Sequence, residues 1–265
     1  MTSSQITENR GWHASVAARL DQAETSGIAI EQFNDALTLD GAYSVQRELL
    51  SVRRKRGEQL SGAKLGFTSK AKMEQMGVDE VISGFLTDRM LIPPGTELSL
   101  SRLVHPRIEP EIAFRFKREI HPGTSYEEIL ENIDAVAPAV EIIDSRYRNF
   151  SFSLSDVVAD NTSACRYALG EWVEFSKNLA GRAVTMLVDG TIVETGTTSA
   201  ILSDPMLAIE AFARMNQKYG TSLPAGAVLL AGAATAAIPL EPSTEITAIV
   251  AGLGTVEIKI SGDLA

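Results

Sequence analysis

The stretch His105-Pro106-Arg107-Ile108-Glu109-Pro110-Glu111-Ile112-Ala113-Phe114-Arg115-Phe116 constrains the fold of this chain more than any other. Successive side chains of a strand point to opposite faces, so Ile108, Ile112, Phe114 and Phe116 share one face. Glu109 and Glu111 share the other. Such a strand needs an apolar layer on one side, and on the other side it must accommodate two like charges. An adjacent carboxylate pair is stable where it faces water, shares a proton or holds a cation.

The rest of the chain supplies a frame for that strand. Trp12, Val16 and Leu20 fall on one helical face, and Val45, Leu49 and Val52 on another after an expected Asp40 cap, which predicts helices from Ile6 to about Gln59. The run Ala63-Lys64-Leu65-Gly66-Phe67-Thr68 alternates as a strand with Lys64 and Thr68 on its polar face. A short helix is expected over 69–76, stopped at Gly77. Ser125 and Glu128 fit a capping box for a helix running to Ala137 and ended by Pro138. Ala139–Asp144 then reads as an apolar strand interrupted by Glu141.

Periodicity leaves 145–161 unassigned. Further on, Ala183–Val188, an Asp189-Gly190 turn and Thr191–Glu194 predict a hairpin. Ser203-Asp204-Pro205 opens a helix with Leu207, Ala211, Phe212 and Met215 on one face, and strands are expected at 227–231, 244–250 and 255–260. Many strands, few helices and tight turns predict an α+β architecture with a mixed, curved sheet: a helical N-terminal region over 1–75 and a β domain over 76–265, the Lys64 strand contributing to its site.

With a formal charge of -10 over 265 residues, nucleic acid is not an expected partner, because phosphate neutralisation needs clustered cations. The one basic cluster, Arg53-Arg54-Lys55-Arg56, reads as a solvated helix C-terminus. Cys165 is the only cysteine, which excludes an intrachain disulfide and a cysteine zinc site. Residues 1–10 lack the apolar core of a signal peptide, and no run approaches the ~20 apolar residues of a membrane span. A cytoplasmic protein is expected.

Glu109, Glu111 and Glu141 together offer three oxygen ligands for a hard divalent cation, or a solvated acidic face. Lys64 suits an acid, a base or an anion anchor, or a surface position. Asp88 suits a proton carrier or a turn. Arg146 and Arg148 suit a carboxylate clamp or structural packing. The chain carries no G-x-S-x-G elbow, P-loop or dinucleotide fingerprint.

Gly62-Ala63-Lys64-Leu65-Gly66-Phe67-Thr68, Met76-Gly77-Val78-Asp79, Pro106–Ala113, Pro138-Ala139-Val140-Glu141, Asp144-Ser145-Arg146 and Val158-Ala159-Asp160-Asn161 occur in an order that resembles the fumarylacetoacetate hydrolase-like superfamily, in its hydratase/decarboxylase branch. The segments 67–73 and 231–237 are similar to the decarboxylase members. Ala233 departs from a frequent glycine and Thr162 from a more usual alanine.

The resemblance implies a β-roll catalytic domain, Mg²⁺ or Mn²⁺ held by Glu109, Glu111 and Glu141, and Lys64 in the site, with Asp88 and Ser163 placing water or protons. It implies a small oxo-dicarboxylate substrate, 2-oxohex-3-enedioate, in meta-cleavage catabolism of aromatic compounds. It further implies a homo-oligomer and a complex with a 2-hydroxypenta-2,4-dienoate hydratase. The alternatives are hydratase activity itself and a non-catalytic partner subunit of such a hydratase.

Overall fold

The computed structural model describes residues 3–33 and 37–262. Two helices come first, α1 (Ser3–Ser26) and α2 (Leu39–Lys55). Strand β1 (Leu60–Gly66), helix α3 (Lys70–Met76), β2 (Ile82–Thr87), β3 (Glu97–Ser99) and β4 (Pro106–Phe116) follow, then α4 (Tyr126–Asn132) and β5 (Ile133–Asp144). Helix α5 (Leu154–Ala159) precedes β6 (Ala164–Leu169), β7 (Val173–Glu174), β8 (Ala183–Val188) and β9 (Thr191–Thr197). Helix α6 (Met206–Tyr219), β10 (Val228–Ala233), β11 (Ile238–Pro239), β12 (Glu245–Val250) and β13 (Gly254–Ser261) complete the chain.

The strands form two sheets. One runs β2-β1-β10-β4-β5-β6, with β11 also on β4 and β7 also on β5; the other runs β3-β13-β12-β8-β9. The β1–β10 pair is parallel and its neighbours are antiparallel, giving the mixed, curled sheet expected of the α+β reading. The Lys64 strand therefore belongs to the large sheet, beside β10, although the helices precede it directly in sequence.

The alternation of β4 explains how the sheet is covered. Ile108, Ile112, Phe114 and Phe116 are all fully buried. Ile108 packs with Ile142, Ile246, Ala248 and Ile258 between the two sheets, and Phe116 stacks on Phe212 of α6 with ring centroids 5.7 Å apart. The opposite face carries a small apolar layer of Ala113, Ala139, Ala164, Tyr167 and Leu230, and beside it the carboxylates.

Several expectations are corrected. The helix after Ser125 ends at Asn132, and Ile133–Ala137 is strand, because this apolar run pairs along β4 from Phe116↔Ile133 to Ala113↔Ala137. The capping box of Ser125 and Glu128 is present. Pro138 lies inside β5 rather than ending a helix, and Pro110 lies inside β4. Proline has no N–H for a ladder. Both sit where the outer neighbour is interrupted: Pro138 between β6 and β7, with its carbonyl accepting from Gly170 N at 2.8 Å, and Pro110 between β10 and β11, with its carbonyl accepting from Ala234 N at 2.8 Å. The N–H and C=O of one strand residue point the same way, so both missing donors fall in those gaps.

Helix α2 is capped by Thr38, whose hydroxyl accepts from Gly41 N, and not by Asp40, which lies in the first turn. Arg53 is buried, paired with Glu24 of α1, rather than solvated. On α6 the buried face is Ala208, Ala211, Phe212 and Met215, with Leu207 exposed. The 145–161 segment contains α5, capped by Ser153 and Asp156. The Asp189-Gly190 turn has φ of 48° and 75°, the left-handed pair that a two-residue hairpin requires. Among the described residues, no helix is long and apolar enough to cross a membrane.

Candidate active site

Strand pairing brings three distant acids together. Glu109 lies directly opposite Glu141 in the β4–β5 register, and Glu111 follows on the same face. One carboxylate oxygen from each lies within 4.8 Å of the others, with Glu111 and Glu141 fully buried. Lys64 reaches the cluster from β1, two strands away from β4. It is 2% exposed, its Nζ stands 3.0 Å from Glu141 Oε2, and it donates to the Thr162 carbonyl at 3.2 Å.

A bulge completes the arrangement. The β10–β4 register shifts between Leu230 and Ala233, and Gly232 at the shift has φ of +114°. This turns its amide onto Glu111 Oε2 at 2.7 Å. A Cβ there would lie 2.0 Å from Thr68 Oγ1, so glycine is required both by the dihedral and by the approach of the β1–α3 connection.

The electrostatics follow from burial and crowding. Burial, then the Glu141 charge, pushes the Glu109 carboxyl up to about 7 against the pull of Lys64 and Lys72. Burial, then Glu141 and Glu109, holds Glu111 well above the usual carboxylate range, with Lys64 and the Gly232 amide opposing. Burial also raises Glu141, with Lys64 opposing. Burial alone would depress Lys64, but Glu141, Glu109 and Glu111 outweigh it and hold the amine above its ordinary value. Lys64 is an ammonium at neutral pH.

Three ionised glutamates and one ammonium leave a net charge of -2 in a buried space, which a divalent cation neutralises. Glu111 Oε1 and Glu141 Oε1 are buried without a hydrogen-bond partner, although buried carboxylate oxygens are normally paired. An all-oxygen donor set selects Mg²⁺, Mn²⁺ or Ca²⁺ over softer metals. The residues fit such an ion.

The wall behind Lys64 is a turn of unusual backbone. Asn161, Thr162 and Ser163 have φ of 52°, 55° and 56°, three consecutive non-glycine residues in the left-handed region. The Asn161 side chain pairs with both the N–H and the carbonyl of Phe85, and Thr162 Oγ1 donates to the Ser83 carbonyl. On the other side Arg146, fully buried, donates to Asp160 Oδ1 at 2.5 Å and to the carbonyls of Asp160, Asp144 and Ala164. Ser163 Oγ is buried and has no partner.

Fumarylacetoacetate hydrolase C-terminal sequences match residues 63–261, which span every residue of this cluster. The chain belongs to that family. A 4-oxalocrotonate decarboxylase of a Pseudomonas sp. is 43% identical over 94% of this chain and 98% of its own length. The 2-hydroxyhexa-2,4-dienoate hydratase of Comamonas testosteroni is 31% identical over 98% of this chain and all of its own length. Among solved structures, 4-oxalocrotonate decarboxylase from Pseudomonas putida G7, complexed with magnesium and adipate, superposes with a TM-score of 0.88 at 36% identity, covering 95% of this chain and 98% of that one.

Of the six candidate residues, Lys64, Glu109, Glu111 and Glu141 converge, and Ser163 follows directly on the residue whose carbonyl holds Lys64. Asp88 does not join them. It is exposed at the end of β2, its carboxylate accepting from the Gln59 and Arg89 amides. It is four residues along β2 from Gly84, which pairs with Lys64, a rise of roughly 13 Å. Arg146 holds Asp160 rather than facing the carboxylates, and Arg148 is exposed on Glu31. The Gly232 amide and the Thr162 carbonyl are backbone groups that residue-type reasoning passes over. The glycine inside an apolar strand run was the one available signal.

Proposed function

We propose that the chain decarboxylates 2-oxohex-3-enedioate (4-oxalocrotonate) to 2-hydroxypenta-2,4-dienoate and CO₂, using Mg²⁺ or Mn²⁺. The observation that carries this reading is the triad of half-buried Glu109 and fully buried Glu111 and Glu141 beside the Lys64 ammonium, in a chain 43% identical to a 4-oxalocrotonate decarboxylase along nearly its whole length.

In this substrate the leaving carboxylate on C5 is a vinylogue of that of a β-keto acid. Cleavage of C5–C6 sends its electron pair through the C3–C4 double bond onto the C2 oxygen, and a proton then completes the dienol. Bound by the three glutamates, a divalent cation supplies Lewis-acid stabilisation of the negative charge that develops there. Glu109, Glu111 and Glu141 hold it, with the Gly232 amide fixing the rotamer of Glu111. Lys64, pinned between Glu141 and the Thr162 carbonyl, presents an ammonium that attracts the oxo-acid end and hydrogen-bonds charge at the C2 oxygen.

Its raised pKa makes Lys64 a donor and not a nucleophile, so no Schiff base is invoked. Ser163, whose Oγ is buried and unpartnered, takes the role of passing a proton along this wall. Asp88 takes no part in the step. We further propose a homo-oligomeric, cytoplasmic protein that hands its dienol to a partner hydratase.

The test is CO₂ release from 2-oxohex-3-enedioate with Mg²⁺ or Mn²⁺ and after chelation, with hydration of 2-oxopent-4-enoate run in parallel. Metal-dependent CO₂ release supports the reading. Hydration without CO₂ release would assign the site to the hydratase reaction, which the 31% identical hydratase makes the second reading. Neither activity, with retention of a hydratase on the chain, would assign it to a non-catalytic subunit.

A further inference from the structure

A polar cavity of about 590 Å³ lies where the ends of α1 and α2 meet the β2–β3 connection and β6. Its volume falls in the range of small-molecule sites. Arg166 lines it, and the next residue, Tyr167, lies opposite Glu141 on the carboxylate face. The cavity lies at the β6 edge of the large sheet, lined from both of its faces, and includes none of the carboxylate-cluster residues.

Its charge runs against that of the molecule. Five arginines line it, 53, 56, 89, 102 and 166, against three glutamates, giving 5 − 3 = +2 in a chain of -10. Not all of this charge is spent. Arg56 pairs with Asp21 and Glu58, and Arg166 stands 3.9 Å from Glu24. Among the described residues, the side chains of Arg89 and Arg102 have no ion pair or hydrogen bond, and both are exposed at the rim. At the floor, Arg53 is 1% exposed, and although it pairs with Glu24 its Nε is buried without a partner. A buried guanidinium N–H left unsatisfied is uncommon, and oxyanions are what its planar fork recognises. Glu24 feels the same field: burial opposes ionisation, yet Arg53, Arg146, Arg166 and Arg56 hold its carboxyl below the ordinary range.

We infer that this cavity binds a small organic polyanion, one oxyanion group meeting Arg53 at the floor and another bridging Arg89 and Arg102 at the rim. Both polycarboxylates and phosphate esters carry the required chemistry. The inference is independent of the decarboxylase reading, since none of these arginines belongs to the carboxylate site.

Isothermal titration of the full metal-loaded chain with citrate and, separately, with fructose 1,6-bisphosphate, at ionic strength held constant with chloride, tests it. Saturable one-to-one binding of either probe is expected. Binding of citrate alone assigns the cavity to polycarboxylates, and of the bisphosphate alone to phosphate esters. An R89A/R102A double variant, both changes being on the surface, should weaken binding about tenfold or more and leave turnover unchanged. Glu111→Gln should leave binding of the probe at this cavity intact. Absence of saturable binding to either probe would overturn the inference. So would binding that survives R89A/R102A, or that Glu111→Gln abolishes, since the latter places the probe in the carboxylate site.

Discussion

Replacing Lys64 with Met removes the buried ammonium paired with Glu141 of the carboxylate cluster and keeps most of its volume. At 3.0 Å and an effective dielectric near 20, the Lys64–Glu141 attraction is about 5–6 kcal/mol before desolvation. Breaking a buried pair typically costs ~3–5 kcal/mol. The loss must also depend on pH. Without metal, burial and mutual repulsion shift Glu109, Glu111 and Glu141 toward their neutral forms, so toward lower pH the variant can compensate by keeping one more proton than the parent.

The unfolded chain does not bind that proton, because free Glu titrates near 4.3. Over the pH range in which it keeps that proton, the folded variant therefore loses about 1.4 kcal/mol more than the parent for each pH unit. Between about pH 6 and pH 8 the gap should widen, by at most ~2.7 kcal/mol for one retained proton. Urea unfolding of both proteins in EDTA at these two pH values measures it. The metal site should survive, with Mg²⁺ bound at least as tightly at about pH 8 because a cationic neighbour is gone, while decarboxylation falls by roughly a hundredfold or more. A stability difference that is small, or the same at both pH values, would refute the electrostatic account of Lys64.

Other outcomes follow from the same geometry. In EDTA the parent should itself lose stability, on the order of 3 kcal/mol, as pH rises from about 4.5 to 7: Glu109, pushed up to about 7 when folded, retains a proton that the unfolded chain releases. Saturating Mg²⁺ should flatten that slope, and a flat profile in EDTA would count against the buried cluster. Gly232→Ala should cost about 1–3 kcal/mol from its positive φ and the Thr68 clash, and should weaken Mg²⁺ binding by moving the amide off Glu111; metal titration monitored by thermal shift checks it. Arg146→Met should destabilise by roughly 3–5 kcal/mol by leaving Asp160 buried and unpaired, which denaturant unfolding measures. Glu109→Gln or Glu111→Gln should each remove an anionic ligand and weaken Mg²⁺ binding strongly, read by the metal concentration that restores CO₂ release.

The carboxylate site was legible in the sequence because strand alternation is a strict geometric rule. Once 105–116 is a strand, Glu109 and Glu111 must share a face, and the apolar run around Glu141 needed only the correct register to meet them. The register itself was not legible. The expected helix to Ala137 would have removed half of β5, since Ile133–Ala137 fits a helical face as well as a strand and only pairing along β4 decides between them. Pro138 misled for the same reason. Its lost donor is harmless only at a gap between β6 and β7, which depends on strands that arrive later in the chain. Arg53 read as solvated because the partner that lets it be buried, Glu24, lies on another helix.

The positions where local rules fail are also the ones that build the site. Pro110 and Pro138 interrupt the ladder beside the glutamates, Gly232 breaks the register of β10, and Asn161–Ser163 hold a left-handed turn that costs of order 1–3 kcal/mol per residue. Two of these departures free a backbone group for the site: the Gly232 amide for Glu111 and the Thr162 carbonyl for Lys64. The Arg146–Asp160 pair and the Asn161–Phe85 bonds hold the turn in place. A sheet with perfect ladders would bury the same three carboxylates, but it would lack the donor that orients Glu111 and the acceptor that fixes Lys64. On this account Asn161→Ala, which touches neither metal ligand nor substrate, should lower kcat for CO₂ release more than it weakens Mg²⁺ binding. Equal losses in both would mean that the turn supports the whole fold and does not specifically place Lys64.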